Sequence, residues 1–357
     1  MIKLEKGSAT NSTVPEGCKY CALGGKLVLL VTGLCSLNCF YCPLSEEKKN
    51  RDVIYADEMP VKSDDDIIYE AKMIDALGTG ITGGDPIIKI DRTVHYIELL
   101  KNNFGEKHHI HLYTATGNKN AYRKLKDAGL DEIRIHVPEE YWDRMPGSIY
   151  EKRLNDAIES GLHVGIEIPV LPRKENEILK LIKFADDMNI EFINLNELEF
   201  SETNWMNLRL RNYRVKSDIS SAVWGSETTA YRIIKKSDAR MIVHYCSSRF
   251  KDGVQMKNRL KRRAKNIAKP YEIITSEGTL LRGEIVTDNV DDLFNLLIKE
   301  KGIDKELIEI KNNRIYIAPW IIEDLDGIDG KLYIVEEYPT WDRLEVERTE
   351  IKNKSFK

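Results

Sequence analysis

The sequence has no long hydrophobic run. Its longest apolar stretch, "KLVLLVTGL" (Lys26–Leu34), falls far short of the ~20 residues that a membrane-spanning helix needs. The opening "MIKLEKGSATNSTVPEG" lacks the apolar core of a signal peptide, so the expectation is a cytoplasmic protein with no membrane partner. An excess of one charge is also missing. The formal net charge is −4, too small for the whole molecule to act as an electrostatic trap for nucleic acid or membrane. Repeats and low-complexity tracts are absent, apart from an alternation of strands and helices. Cysteine is scarce, with six residues, five of them between Cys18 and Cys42. A reducing compartment and such bunching argue against a disulfide framework and for metal.

What is present is a regular βα pattern. Between Lys26 and Phe200, β-branched runs alternate with amphipathic helical stretches, the signature of parallel strands with crossover helices. The strands are "KLVLLVTG", "GTGITGG", "HIHLYTA", "DEIRIHV", "HVGIEIPVL" and "FINLNELEF". Most read as near-continuous apolar runs, as expected when both faces are covered. Helices are predicted over Asp64–Leu77, Asp91–Phe104, Asn120–Ala128, Ser148–Ser160 and Glu175–Asn189. Ser63/Asp66 and Ser148/Glu151 form capping boxes, and Gly78, Gly105, Gly129 and Gly161 act as stops. The fold class is α/β, a partial (β/α)6 barrel followed by a small α+β domain. The expected divisions are a Cys-pair segment at 1–25, the barrel at 26–200, a connection at 201–265, and the small domain at 266–357. The connection holds a strand, "MIVHYCS", and a basic helix. The small domain has hairpins at Glu277-Gly278 and Asn312-Asn313, a helix at Asp291–Lys301 and a last strand, "KLYIVEEY".

The chemistry concentrates in "CSLNCFYC", which places Cys35, Cys39 and Cys42 in the loop after the first strand. βα-barrel enzymes build their active sites at that end of the barrel. Three thiolates could hold three irons of a four-iron cluster and leave the fourth open for a ligand. A zinc half-site or three buried thiols are the plainer readings of the same spacing. The second strand ends in "TGGDP" (Thr82–Pro86), an ordinary turn on its own that gains weight only from its position after the second strand.

Together these two motifs resemble those of the radical S-adenosylmethionine (SAM) superfamily, over roughly Lys26–Phe200. Within it, the chain looks most like an archaeal-type group related to pyruvate formate-lyase activating enzymes. Asp85 stands where that family's Gly-Gly-Glu motif has Glu. The resemblance implies a [4Fe-4S] cluster on Cys35, Cys39 and Cys42, whose open iron chelates SAM. One electron, from a flavodoxin- or ferredoxin-type donor, would release a 5′-deoxyadenosyl radical that abstracts a hydrogen atom. It further implies that Thr82, Gly83, Gly84 and Asp85 receive the methionine end, and that Tyr41 sits by the adenine. Glu167 of "GIEIP" would meet adenine or ribose, and Asn196 and Glu199 of "NLNELE" would supply polar groups at the barrel mouth. Glu167, Asn196 and Glu199 also read as ordinary polar residues at strand ends.

Three cysteines remain. Cys18 and Cys21 form a C-x2-C pair, and Cys246 follows His244 by two residues. These four suit a Cys3His zinc site, the three thiols alone suit an auxiliary iron–sulfur cluster, and a buried structural histidine with unrelated thiols is the bland reading. This pair and the C-terminal domain go beyond the simplest glycyl-radical activating enzymes. For substrate, "RLRNYR" (Arg209–Arg214) could meet an anionic metabolite or polypeptide. The basic stretch Lys251–Lys269, with eight Lys or Arg against Asp252, could grip RNA or be a solvated helix face. A non-catalytic, metal-dependent binding module is the reading from another class.

Overall fold

The computed structural model describes residues 1–352. The chain divides into two compact units, Met1–Lys72 with Ala76–Met256, and Met73–Asp75 with the residues from Lys257 onward. The expected boundaries at 25, 200 and 265 are therefore not unit boundaries. The N-terminal segment and residues 201–256 belong to the first unit.

In the first unit, parallel strands follow one another in chain order: β1 (Lys26–Leu30), β2 (Gly78–Thr82), β3 (His109–Thr114), β4 (Glu132–Ile135), β5 (His163–Val170) and β6 (Phe192–Glu197). A seventh, β7 (Ile242–Cys246), pairs parallel to β6. It is the "MIVHYCS" strand, expected in the connection but placed here in the barrel sheet. The sheet stays open, because each edge is covered by a short antiparallel strand: Tyr55–Ala56 on β1 and Ala9–Thr10 on β7. This is a partial barrel, with one strand more than expected.

The crossover helices are α2 (Asp64–Met73), α3 (Ile90–Phe104), α4 (Lys119–Asp127), α5 (Ile149–Ile158), α6 (Glu175–Asp187) and α7 (Ser226–Lys236); α1 (Glu16–Ala22) precedes β1. Ser148 caps α5 through the Glu151 N–H at 3.2 Å, and Asp66 accepts from the Ser63 N–H at 2.8 Å, as the two boxes predict. Leu27, Leu29, Ile81, Leu112, Ile133, Ile166 and Leu195 are fully buried. They alternate along their strands with a second, inward set. That inward face is polar: Lys26, His109, His111, Tyr113, Glu132, Arg134, His136, Glu167, Asn194 and His244. The strands are thus less uniformly apolar than they first read. Helix α1 lies against β2 and β3, and a Cβ at Gly17 would come within 2.7 Å of both Arg134 Nη2 and His111 Nδ1.

In the second unit, α8 (Lys257–Ile267) leads to an antiparallel sheet. Its strands are β8 (Leu280–Val286), β9 (Ile308–Lys311), β10 (Arg314–Ile317), β11 (Lys331–Glu337) and β12 (Glu345–Ile351), in the order β9-β10-β8-β11-β12, with the short Ile273–Ile274 strand paired antiparallel to β8. Helix α9 (Val290–Lys299) covers it through Val290, Leu293 and Leu297, which share a core with Ile285, Ile315, Ile317 and Leu332. Asn312 and Asn313 both adopt positive φ (52° and 58°), the two-residue turn expected there. Strand β12 escaped the sequence reading because it is a mostly exposed edge, "EVERTEI", with no buried residue to set an alternation. The predicted basic helix is divided: Lys251–Met256 is π-helical and belongs to the first unit, and α8 begins at Lys257.

Leu112→Ala, at a fully buried position on β3, is expected to cost about 3 kcal/mol of unfolding free energy. Urea unfolding checks this, and an unmoved midpoint would show that the helix-facing side of β3 is not the core.

Candidate functional site

The loop after β1 turns back on itself at Gly33, whose N–H bonds Arg51 O at 2.8 Å while its carbonyl accepts from Asn50 N at 2.9 Å. A Cβ there would stand 1.6 Å from Lys48 O, so only glycine fits. The loop is then fastened to the end of β2: Gly84 N donates to Thr32 O at 2.7 Å and Asp85 N to Leu34 O at 2.8 Å. Added Cβ atoms at Gly83 and Gly84 would meet Thr32 O at 2.3 Å and Leu34 O at 2.2 Å. The Gly-Gly pair thus lets two backbone segments lie in contact. On the other side, Thr203 donates to Leu44 O at 2.7 Å, and Asn204 donates to Tyr41 O at 3.2 Å.

This places Cys35, Cys39 and Cys42 on one wall of a cavity of about 650 Å3 at the C-terminal end of the strands, within the size range of small-molecule sites. Thr82, Gly83, Gly84, Glu167, Asn196 and Glu199 line the same cavity. None of the three thiols is in a disulfide. Cys35 Sγ accepts from Leu37 N at 3.4 Å, and burial pushes the Cys39 thiol up to about 11. Among the described residues, no three His, Cys, Asp or Glu side chains converge on a single ion. Three thiols spread along one loop suit a cluster, in which each thiolate takes its own iron. Free thiols, a backbone cradle and a roomy cavity fit a cluster with SAM beside it.

Asp85 does something other than face the cavity. Its fully buried carboxylate accepts from Ile87 N (3.1 Å), Thr114 Oγ1 (2.7 Å), Ala115 N (3.1 Å) and Thr116 Oγ1 (2.8 Å). With its acceptor sites filled, it locks the Gly-Gly turn to the end of β3. Tyr41 is also engaged, its hydroxyl 3.1 Å from His136 Nε2. His136 Nδ1 lies 3.1 Å from Glu167 O. A carbonyl only accepts, so Nδ1 carries the proton and Nε2 accepts from Tyr41. Burial holds His136 below its usual pKa, so it stays neutral. Cys39 Sγ lies 3.7 Å from that same Nε2.

Glu167 is the cavity's fixed carboxylate. Arg134 donates to it at 2.9 Å, Asn194 at 3.1 Å and Asn196 at 2.7 Å. Glu199 instead pairs with Lys251 Nζ at 2.6 Å. His136, Tyr113 and Lys251 line the cavity and were missed in the sequence. His136 was findable, since it directly follows β4 at the strand's C-terminal end. Lys251 carried no such signal, because it arrives from a segment far along the chain.

In the second cysteine set, the histidine is braced by a neighbouring strand. His244 Nδ1 is 2.7 Å from Asn194 Oδ1, and burial lowers its pKa to about 4. Cys18 and Cys246 are buried.

The chain belongs to the radical SAM superfamily, whose sequence pattern matches residues 29–185, and it is a radical SAM enzyme. A Methanocaldococcus jannaschii protein, named provisionally as a glycyl-radical enzyme activating enzyme, is 46% identical over 96% of this chain and 94% of its own length. A second protein of that organism, named with similar reserve as a GTP 3′,8-cyclase, is 23% identical over 81% of this chain and 94% of its own. Residues 278–351 match a domain family of unknown function. Among solved structures, methylornithine synthase aligns with 62% of this chain and 70% of its own at a TM-score of 0.42 and 13% identity. Streptococcus suis SuiB bound to SAM aligns with 63% and 50%, at 0.42 and 13%. The family implies a [4Fe-4S] cluster and SAM. No helix among the described residues is long and apolar enough to cross a membrane.

Gly84→Ala is expected to weaken SAM binding by about tenfold or more, or ~1.4 kcal/mol, because the Cys loop and the strand end must part. Equilibrium binding alongside iron content checks this, and unchanged affinity would remove the Gly-Gly turn from the binding site.

Proposed function

We propose that the enzyme cleaves SAM reductively at an iron–sulfur cluster held by Cys35, Cys39 and Cys42, and abstracts a hydrogen atom from a polypeptide substrate. The observation that carries this reading is the meeting of three unpaired thiols and the Gly83-Gly84 cradle on one cavity wall. When bound, cluster and SAM together supply a 5′-deoxyadenosyl radical, and the protein's own residues orient and shield. The Gly-Gly turn admits the methionine end to close approach. Glu167, immobilised by three donors, offers carboxylate oxygens to the ribose hydroxyls. Asn196 shares that carboxylate. Neutral His136 fixes Tyr41 and stands beside Cys39 without adding charge. A flavodoxin- or ferredoxin-type protein supplies the electron.

The polypeptide substrate rests on the name of the 46% identical relative and on a cavity whose wall carries Lys49, a cation able to meet an anionic group. A small anionic metabolite is the competing substrate. An RNA substrate has less to stand on. In the basic stretch, Lys251 pairs with Glu199, Lys257 pairs with Glu277 at 2.6 Å, and Arg262 donates to Ile74 O at 2.7 Å. Those charges are already committed.

Anaerobically reconstituted, dithionite-reduced protein is expected to form 5′-deoxyadenosine from SAM, and Cys35→Ala/Cys39→Ala/Cys42→Ala to form none. Equal turnover by both would remove the cluster from this loop. Deuterium transfer from a labelled polypeptide into 5′-deoxyadenosine would support the substrate class, whereas transfer only from small carboxylates or phosphate esters would overturn it. RNA binding that falls steeply with salt would revive the RNA reading.

A further inference from the structure

We infer that Cys18, Cys21 and Cys246 hold a second iron–sulfur cluster inside the barrel, distinct from the one on the Cys35–Cys42 loop. Cys18 and Cys21 are three residues apart on α1, which puts both thiols on one helix face. That helix lies against the inward side of the sheet. Cys18 Sγ is 3.3 Å from Asn194 Nδ2 on β6. In the β6–β7 register, Asn194 stands opposite His244 and Asn196 opposite Cys246, so Cys246 is one inward position further along the sheet from the level of Cys18. Helix α1 also contacts the π-helical Lys251–Met256 segment, whose Gln255 reaches Cys246 Sγ at 3.6 Å. Three segments distant in sequence thus bring these thiols to one region.

Side-chain N–H groups reach the two buried sulfurs. Cys18 Sγ receives N–H groups from Arg134 Nη2, at 3.6 Å, and from Asn194. Cys246 receives one from Gln255. Outer N–H donors of this kind hold and tune metal-bound thiolates. Three thiols are the number that would hold a four-iron cluster with one iron open, as the family implies for the Cys35–Cys42 loop, whereas a structural zinc ion would need a fourth ligand. The location is telling: Asn194 touches Cys18 and also Glu167, which lines the cavity. The second centre would therefore sit behind the cavity wall.

The test is iron, sulfide and zinc per chain in the full-length, anaerobically reconstituted protein, with electron paramagnetic resonance of the reduced state. The wild type is expected to hold about eight irons, and Cys35→Ala/Cys39→Ala/Cys42→Ala about four, with a reduced-cluster signal indifferent to SAM. Cys18→Ser/Cys21→Ser/Cys246→Ser is expected to keep about four irons, with a signal that shifts on adding SAM. Far-UV circular dichroism confirms that each variant is folded. If the Cys35/Cys39/Cys42 variant is folded but holds no iron, or one zinc and no iron, the second cluster is overturned, and the function proposed above stands. If instead the Cys18/Cys21/Cys246 variant loses all its iron while the other keeps it, that function fails and this centre survives.

Discussion

The first unit depends on one buried guanidinium. Arg134 is almost completely enclosed, and a charge so placed must be paired on every side. It bonds Glu132 at 2.6 Å, Glu167 at 2.9 Å and the Tyr113 hydroxyl at 3.2 Å, and approaches Cys18. Burial alone would raise Glu132, yet Arg134 and its neighbours hold that carboxyl below its usual pKa. The strands β3, β4 and β5 and helix α1 are thus tied through one side chain. Because an unpaired partner in this interior would be costly, the network fixes the inner face as firmly as apolar packing fixes the outer one.

The consequence for the site is rigidity at its floor and walls. Glu167 faces the cavity with one oxygen held by Asn196 and the other by Arg134 and Asn194. Asp85 spends its carboxylate on the turn that carries Gly83 and Gly84. His136 spends one nitrogen on the Glu167 carbonyl and the other on Tyr41. In each case a polar group that might have been read as a ligand is instead the brace that keeps a neighbouring group in place. Radical chemistry needs such a scaffold, since a reactive species must be confined near its intended partner and away from water.

The two sets of three cysteines differ in how they are supported. The Cys35–Cys42 set sits on a loop pinned by backbone bonds to the end of β2 and by Thr203 and Asn204 from beyond β6. The other set comes from a helix and a strand end, with side-chain amide and guanidinium donors at the sulfurs. The first arrangement leaves room for a ligand in the cavity, whereas the second is enclosed by the barrel interior.

Much was legible in the chain because it is local. The βα alternation, the two capping boxes, the Asn312-Asn313 turn, the CxxxCxxC loop and the Gly-Gly turn each state their meaning within a few residues, where backbone sterics and hydrogen-bond spacing decide. Tertiary structure decided what depends on chain segments far apart. It placed β7 in the barrel sheet, turned Asp85 away from the cavity, set Lys251 against Glu199, and tied His244 to Asn194. The polar inner face was hidden for the same reason. Lys26, His111, Glu132 and Arg134 look like charges awaiting solvent in a one-dimensional reading, and only the curling of the open sheet, with α1 on its inner face, brings in the partners that let them be buried.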